Sequence, residues 1–172
     1  MKTRKTIICG IIAVIMTVAF GACTAAAQEQ RLTGTDSFKF TVINNGTAYR
    51  VSAGTAEGTA NIPAYYRPNA DSDYLPVKEI GEKAFKGREN IIRIVIPSTV
   101  TSIGNYAFAD CTNITSITIP ANVTSIGNDA FDRWTSSQTI YIQEKTNQAE
   151  ADAAWGAEWR TGYNVRIVYQ GQ

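Results

Sequence analysis

The residues of this 172-residue chain that could carry chemistry are few, and they do not spell a reaction centre. Histidine is absent, which removes imidazole base catalysis, His-containing zinc sites and the usual Ser/His/Asp triad. The sequence contains no GxGxxG, GxxxxGK[ST], SxxK, GxSxG or CxxC, so neither a phosphate cradle nor a primed nucleophile is spelled out. Asn69, Asp71 and Asp73 resemble the opening of a calcium loop. Tyr74 stands where that loop needs glycine and Ile80 where it needs a bidentate Glu, so no metal is assigned. Cys111 shares its place in a repeated pattern with Arg88 and Trp134, which marks a core residue rather than a nucleophile. No cofactor is expected, and an enzyme would have to use a carboxylate pair assembled only by the fold.

With catalysis set aside, the composition describes a module that acts through its surface. Hydrophobic residues make up 44% of the chain, enough for one domain with a packed core and too many for a disordered tail. Lys plus Arg number 16 against 15 Asp plus Glu. No basic field therefore exists to hold a nucleic-acid backbone.

Lys2, Arg4 and Lys5 precede an apolar run from Ile7 to Phe20, followed by small residues. That is the pattern of an export signal, too short to span a bilayer comfortably. Phe20-Gly21-Ala22-Cys23 resembles a bacterial lipobox, giving a signal over 1–22, a lipidated Cys23 and a membrane tether over 23–35. Cleavage after Ala27 is the alternative and would leave the protein secreted or periplasmic. Loss of the signal leaves Cys111 without a partner, so stability must come from packing rather than disulfides.

The packing signal is a repeat. Ile80-Gly81, Ile103-Gly104 and Ile126-Gly127 stand 23 residues apart, as do Ala84-Phe85, Ala107-Phe108 and Ala130-Phe131, and Ile96, Ile119 and Ile142. In the middle copy, Ile114, Ile117 and Ile119 end in the alternation of a strand with one buried face, and Pro120 stops it. Gly104 suits either a positive φ or a close backbone approach, Ala107 a tight contact, and Phe108 the interior. Each copy is expected to form one strand, a turn, an irregular return and a tight helical turn.

A lone copy cannot pay the backbone entropy of ordering 23 residues, roughly 1–2 kcal/mol each, from seven apolar side chains worth about 1.5–3 kcal/mol apiece. Stacked copies bury both flanks, so the pattern predicts a solenoid with parallel strands. Three copies fill 77–142.

The copies resemble the BspA-like leucine-rich repeat family of bacterial surface proteins, whose repeat looks like IPxxVTSIGxxAFxxCxxLxxIxIP. The resemblance covers Ile62 to Ile142, with Trp134 in place of the cysteine. It implies a right-handed α/β solenoid with short parallel strands on a concave face. The residues between the core isoleucines would line that face as Thr59 and Asn61, Arg93 and Val95, Ser116 and Thr118, Thr139 and Tyr141, and Arg166 and Val168. The resemblance also implies a non-enzymatic adhesin at the cell surface or outer membrane, contacting host matrix proteins or other bacteria. The alternative is an envelope scaffold that binds a cognate bacterial protein.

Both ends need covering. Over 36–76, Phe38, Phe40 and Val42, an Asn45-Gly46 turn, then Tyr49, Val51 and Ala53 predict a capping β-hairpin. A degenerate repeat ending at Ile62-Pro63 follows. An insertion of about 11 residues, measured against the spacing of the other copies, then bulges from the coil. Its Tyr65, Tyr66, Arg67 and Tyr74 are types favoured at interfaces. Over 143–172, Gln148 to Trp159 reads as a helix with Trp155 and Trp159 on one stripe and Gly162 just past its end. Asn164 to Tyr169 reads as a last strand, in which Ile167 and Tyr169 take the phase of Ile140 and Ile142.

Overall fold

The repeat builds two ladders of parallel strands, not one. In the computed structural model, which describes residues 37–160 and 164–171, the elements in chain order are β1 (Phe38–Ile43), β2 (Ala48–Ala53), β3 (Gly58–Asn61), β4 (Tyr65–Tyr66), β5 (Leu75–Ile80), β6 (Ile91–Val95), β7 (Ser102–Ile103), β8 (Ser116–Ile119), β9 (Ser125–Ile126), β10 (Thr139–Ile142), α1 (Gln148–Trp155) and β11 (Arg166–Tyr169). Cys23, the export signal, the tether and Gly162 lie outside the described residues.

The long ladder comprises β3 beside β6 and β8-β10-β11, and its strands are the ones the isoleucine alternation predicts. The short ladder runs β2-β5-β7-β9 in parallel, with β1 antiparallel on its outer edge. Its strands come from Ser102-Ile103 and the equivalent positions, where the sequence predicted an irregular return. Their registers, Glu79↔Ser102↔Ser125 and Ile80↔Ile103↔Ile126, follow the 23-residue period. A strand of two residues has no alternation to reveal it, because its hydrogen-bond partners come from neighbouring coils.

The expected tight helical turn is also absent. Each copy instead reverses through two residues in the left-handed region: Lys83, Tyr106 and Asp129 have φ of 54°, 55° and 54°, and Gly87, Asp110 and Arg133 have φ of 66°, 60° and 64°. These conformations point successive backbone groups at the next coil. Phe85 and Phe108 donate their N–H groups to the carbonyls of Ala107 and Ala130 at 2.7 and 2.8 Å. Gly104 needs no positive φ. Its role is close approach, since a Cβ there would stand 2.6 Å from the Glu82 backbone nitrogen.

Phe85, Phe108 and Phe131 stack through the interior with centroids 5.5 and 5.6 Å apart and planes 14° from parallel. Phe38 meets one end of this column edge-on and Trp159 the other. Fully buried isoleucines flank it, each worth about 1.5–3 kcal/mol on burial. Asn113 and Asn122 donate from Nδ2 to the carbonyls of Glu89 and Ser98, both at 2.8 Å, and so tie neighbouring coils.

Two places break the repeat and are repaired locally. The buried isoleucine at Ile91 and Ile114 becomes the exposed Ser137 in the last copy. The adjacent Gln138 turns inward, 3% exposed, and donates from Nε2 to the carbonyls of Cys111 and Ile114 at 3.0 and 2.8 Å, while its Oε1 accepts from the Thr135 N–H. Gln138→Leu takes the side-chain donor from the Ile114 carbonyl and leaves the Cys111 carbonyl with only the Ile114 N–H at 3.3 Å, and is expected to cost about 1–3 kcal/mol, read as a lower urea midpoint with the slope unchanged.

The predicted helix through Trp159 is the second. It ends at Trp155 because Gly156, with φ +78°, breaks it, and Trp159 sits instead in a 3-10 turn, Glu158–Arg160. Asn147 caps the helix start by accepting from the Glu150 N–H. The 3-10 turn takes up the repeat's bonding, because the Glu158 carbonyl accepts from Asp129 as the Asn128 carbonyl accepts from Tyr106. Asp152 fastens the two segments, accepting from Arg160 at 2.8 and 3.1 Å and from Gln148 at 2.7 Å. Chiefly through the Arg160 bonds, its carboxyl is held down to about 2. A lowered carboxyl contributes stability above its ordinary value of 3.8, and that contribution is lost as pH falls from about 4 through about 2. Urea unfolding between pH 5 and 2 should show this loss, and Asp152→Asn should flatten it over that window.

Candidate binding face

The backbone register lines up the outward residues of the long ladder. Thr59 pairs with Arg93 and Asn61 with Val95; Thr139 pairs with Ser116 on one side and Arg166 on the other, and Tyr141 likewise with Thr118 and Val168. β6 and β8 are not hydrogen-bonded, and the 23-residue period relates Arg93 to Ser116 and Val95 to Thr118. Between them, Ala60, Ile94, Ile117 and Ile140 point inward and are buried. Strand alternation against one core therefore leaves two outward rows. One reads Thr59, Arg93, Ser116, Thr139, Arg166; the other reads Asn61, Val95, Thr118, Tyr141, Val168. Arg166 meets β10 in the phase that its sequence predicted.

Hydroxyls, one aromatic ring, two valines and two guanidinium groups can make hydrogen bonds, apolar contact and ion pairs, which suits recognition rather than bond making. Arg93 and Arg166 are exposed, and neither enters an ion pair among the described residues. Ile92 beside Arg93 is 58% exposed and adds an apolar contact that the sequence reading missed. It occupies the repeat position of Thr115 and Gln138, which no periodicity argument assigns to the core.

The short ladder carries a shallow polar groove of about 370 Å³, also missed from sequence, lined by Arg50, Glu79, Ser102, Asn105 and Ser125 among others. Its polar groups largely satisfy one another. Arg50 donates to both Glu79 oxygens at 2.7 and 3.1 Å, Ser125 lies 3.0 Å from Ser102 through their hydroxyls, and Asn105 accepts from the Asn128 N–H. The recurrence of Glu79, Ser102 and Ser125 at the repeat period was the available signal.

The insertion divides its predicted contact residues. Tyr65 and Tyr66 pair with Pro76 and Leu75. Tyr66 folds back onto Phe40, with centroids 3.8 Å apart and rings nearly parallel, and meets Tyr49 edge-on. It therefore shields the hairpin and is not offered as a contact. Tyr65 and Tyr74 remain about half exposed, with Arg67 lying 4.4 Å over the Tyr74 ring. Asn69 accepts from the Asp71 N–H and the Ser72 hydroxyl, so its oxygen closes a turn.

Cys111 is fully buried, donates to the Phe85 carbonyl, and burial pushes its thiol up to about 11. Trp134 makes the equivalent bond to the Phe108 carbonyl at 2.9 Å. That shared bond is why tryptophan can replace cysteine at this repeat position.

Against known proteins, a family model described as the BspA type leucine-rich repeat region matches residues 66–155 in six copies. No curated protein matches. Among solved structures, a leucine-rich cell surface protein from Faecalibacterium prausnitzii aligns over 79% of this chain at 22% identity and a TM-score of 0.52, and the aligned part is 42% of that longer chain. A leucine-rich repeat protein from Bacteroides capillosus aligns over 64% of this chain and 96% of its own at 22% identity and a TM-score of 0.47. The T. pallidum leucine-rich repeat protein aligns over 81% and 85% at 15% identity and a TM-score of 0.45. The Faecalibacterium likeness concerns the fold alone.

Proposed function

Because the chain belongs to the BspA-type leucine-rich repeat family, we propose that it is an exported, non-enzymatic protein-binding module whose ligand lies across the long ladder. The observation that carries this reading is that the registers set Arg93 beside Thr59, Ser116 beside Thr139 and Thr118 beside Tyr141, while the 23-residue period puts Arg93 and Ser116 at equivalent outward positions of adjacent coils. Few coils offer a small face, so single contacts are weak and display of many copies raises avidity. The ligand is an adhesion target, a host matrix protein or a surface protein of another bacterium. The lipobox-like Cys23 supplies the tether that holds the module at the cell surface.

The same reading takes the solenoid as right-handed, with the β1–β2 hairpin and the α1–β11 segment as its caps. Phe38 and Trp159 at opposite ends of the phenylalanine column support the caps.

The test is capture of purified matrix proteins and bacterial surface proteins by the purified chain, with the Arg93→Glu, Tyr141→Glu double variant alongside. The reading predicts capture that the variant loses by at least about tenfold in affinity, with its thermal midpoint unchanged. Capture that the variant retains removes the long ladder as the binding face. Resistance of the protein to protease added to intact cells removes the surface location.

A further inference from the structure

The long ladder carries charge of one sign. Its five strands hold two arginines and no acidic residue, whereas the turns and the short ladder hold carboxylates such as Glu79, Asp110 and Asp129. Arg93 and Arg166 fall in the same outward row, and every arginine elsewhere that forms an ion pair does so off this face. The excess positive charge of the ladder is therefore local to a domain that is otherwise near neutral.

We propose that the segment recognised here is an extended acidic peptide crossing the strands, with two carboxylates four residues apart, each paired to one arginine. The inference rests on the binding reading above and adds the chemistry of the ligand. The geometry sets the spacing: β8, β10 and β11 are hydrogen-bonded neighbours, and β6 packs beside β8 one coil earlier without ladder bonds, so three coil steps close to the strand spacing of about 4.8 Å place Arg93 and Arg166 roughly 14 Å apart. An extended peptide advances about 3.4 Å per residue and shows every second side chain to one face, so residues four apart span about the same distance on the same side. The residue midway between them meets the hydroxyls of Ser116 and Thr139. The second row, with Val95, Tyr141 and Val168, offers apolar contact to the peptide's other flank. That apolar row favours a peptide over a sulfated glycan, which would leave it uncovered. Guanidinium–carboxylate pairing supplies both the affinity and the orientation.

Fluorescence anisotropy with the purified chain tests this on short extended peptides carrying two glutamates two, four or six residues apart among valine and threonine, with glutamine counterparts and a heparin oligosaccharide. The four-residue spacing should bind at least about tenfold more tightly than its glutamine counterpart. That preference should vanish in Arg93→Gln, Arg166→Gln, while Tyr141→Ala should weaken both peptides alike. Weakening by Tyr141→Ala without any glutamate preference overturns the acidic-ligand inference and leaves the binding face standing. Binding that none of these variants changes overturns both. Heparin binding without peptide binding, or no binding at any spacing, overturns the peptide.

Discussion

Phe108→Ala is expected to destabilise the protein by about 3–5 kcal/mol, the range for removing a fully buried phenylalanine. Phe108 is 0% exposed and is the middle ring of the column, in contact with Phe85 on one side and Phe131 on the other. Its Ala107 and Ala109 neighbours are buried too, so little nearby can move to fill the space. In a stacked array each coil is stabilised largely by its neighbours, and the deletion weakens two interfaces at once. The thermal midpoint should fall by on the order of 10 °C. Phe38→Ala, at the end of the column, removes edge-on contacts to Phe85 and Phe40 from a residue open to solvent on one side, 9% exposed against 0% for Phe108, and should cost less. Equal costs at the two positions would show that the column is not the continuous core described.

Gly104→Ala is the second large effect and acts through the backbone. A Cβ at Gly104 would meet the Glu82 nitrogen at 2.6 Å, the Gly81 carbonyl carbon at 2.8 Å and the Glu82 Cα at 3.0 Å. All three are main-chain atoms, so relief requires two coils to separate. Overpacking of that kind costs about 1–3 kcal/mol. Gly81→Ala is the control, because its added Cβ meets mainly the Arg50 side chain at 3.1 Å, which can swing aside. There the entropy removed from the unfolded chain, about 0.4–1 kcal/mol, works in favour of the alanine. Paired unfolding curves should therefore separate two glycines that the sequence presents as equivalent.

That contrast shows where the sequence is legible. The 23-residue period specifies the register between β8 and β10, and the strand alternation alone carries it to β11, 27 residues on, because a one-residue slip would turn Ile117, Ile140 and Ile167 away from the core together. The rows of the long face follow directly, including Arg166 beside Thr139. The short ladder did not follow, since Ser102-Ile103 becomes a strand only through partners in adjacent coils. The helix boundary was missed because Trp155 and Trp159 fit one stripe, and Gly156 outweighs that spacing. Tyr66 is of a type that favours interfaces, but its pairing with Leu75 sets it on Phe40. Gln138 could be found only by noticing that Ser137 replaces the isoleucine of the earlier copies.

Equilibrium binding of a captured protein ligand to two opposed variants tests the central claim most directly. One variant carries Arg93→Glu and Tyr141→Glu on the long ladder; the other carries Ser102→Glu and Ser125→Glu in the groove of the short ladder. Loss of at least about tenfold in affinity for the first, with wild-type affinity for the second, is the result expected of a long-ladder binding face. Wild-type affinity for the first with loss for the second would move the ligand to the polar groove and contradict it.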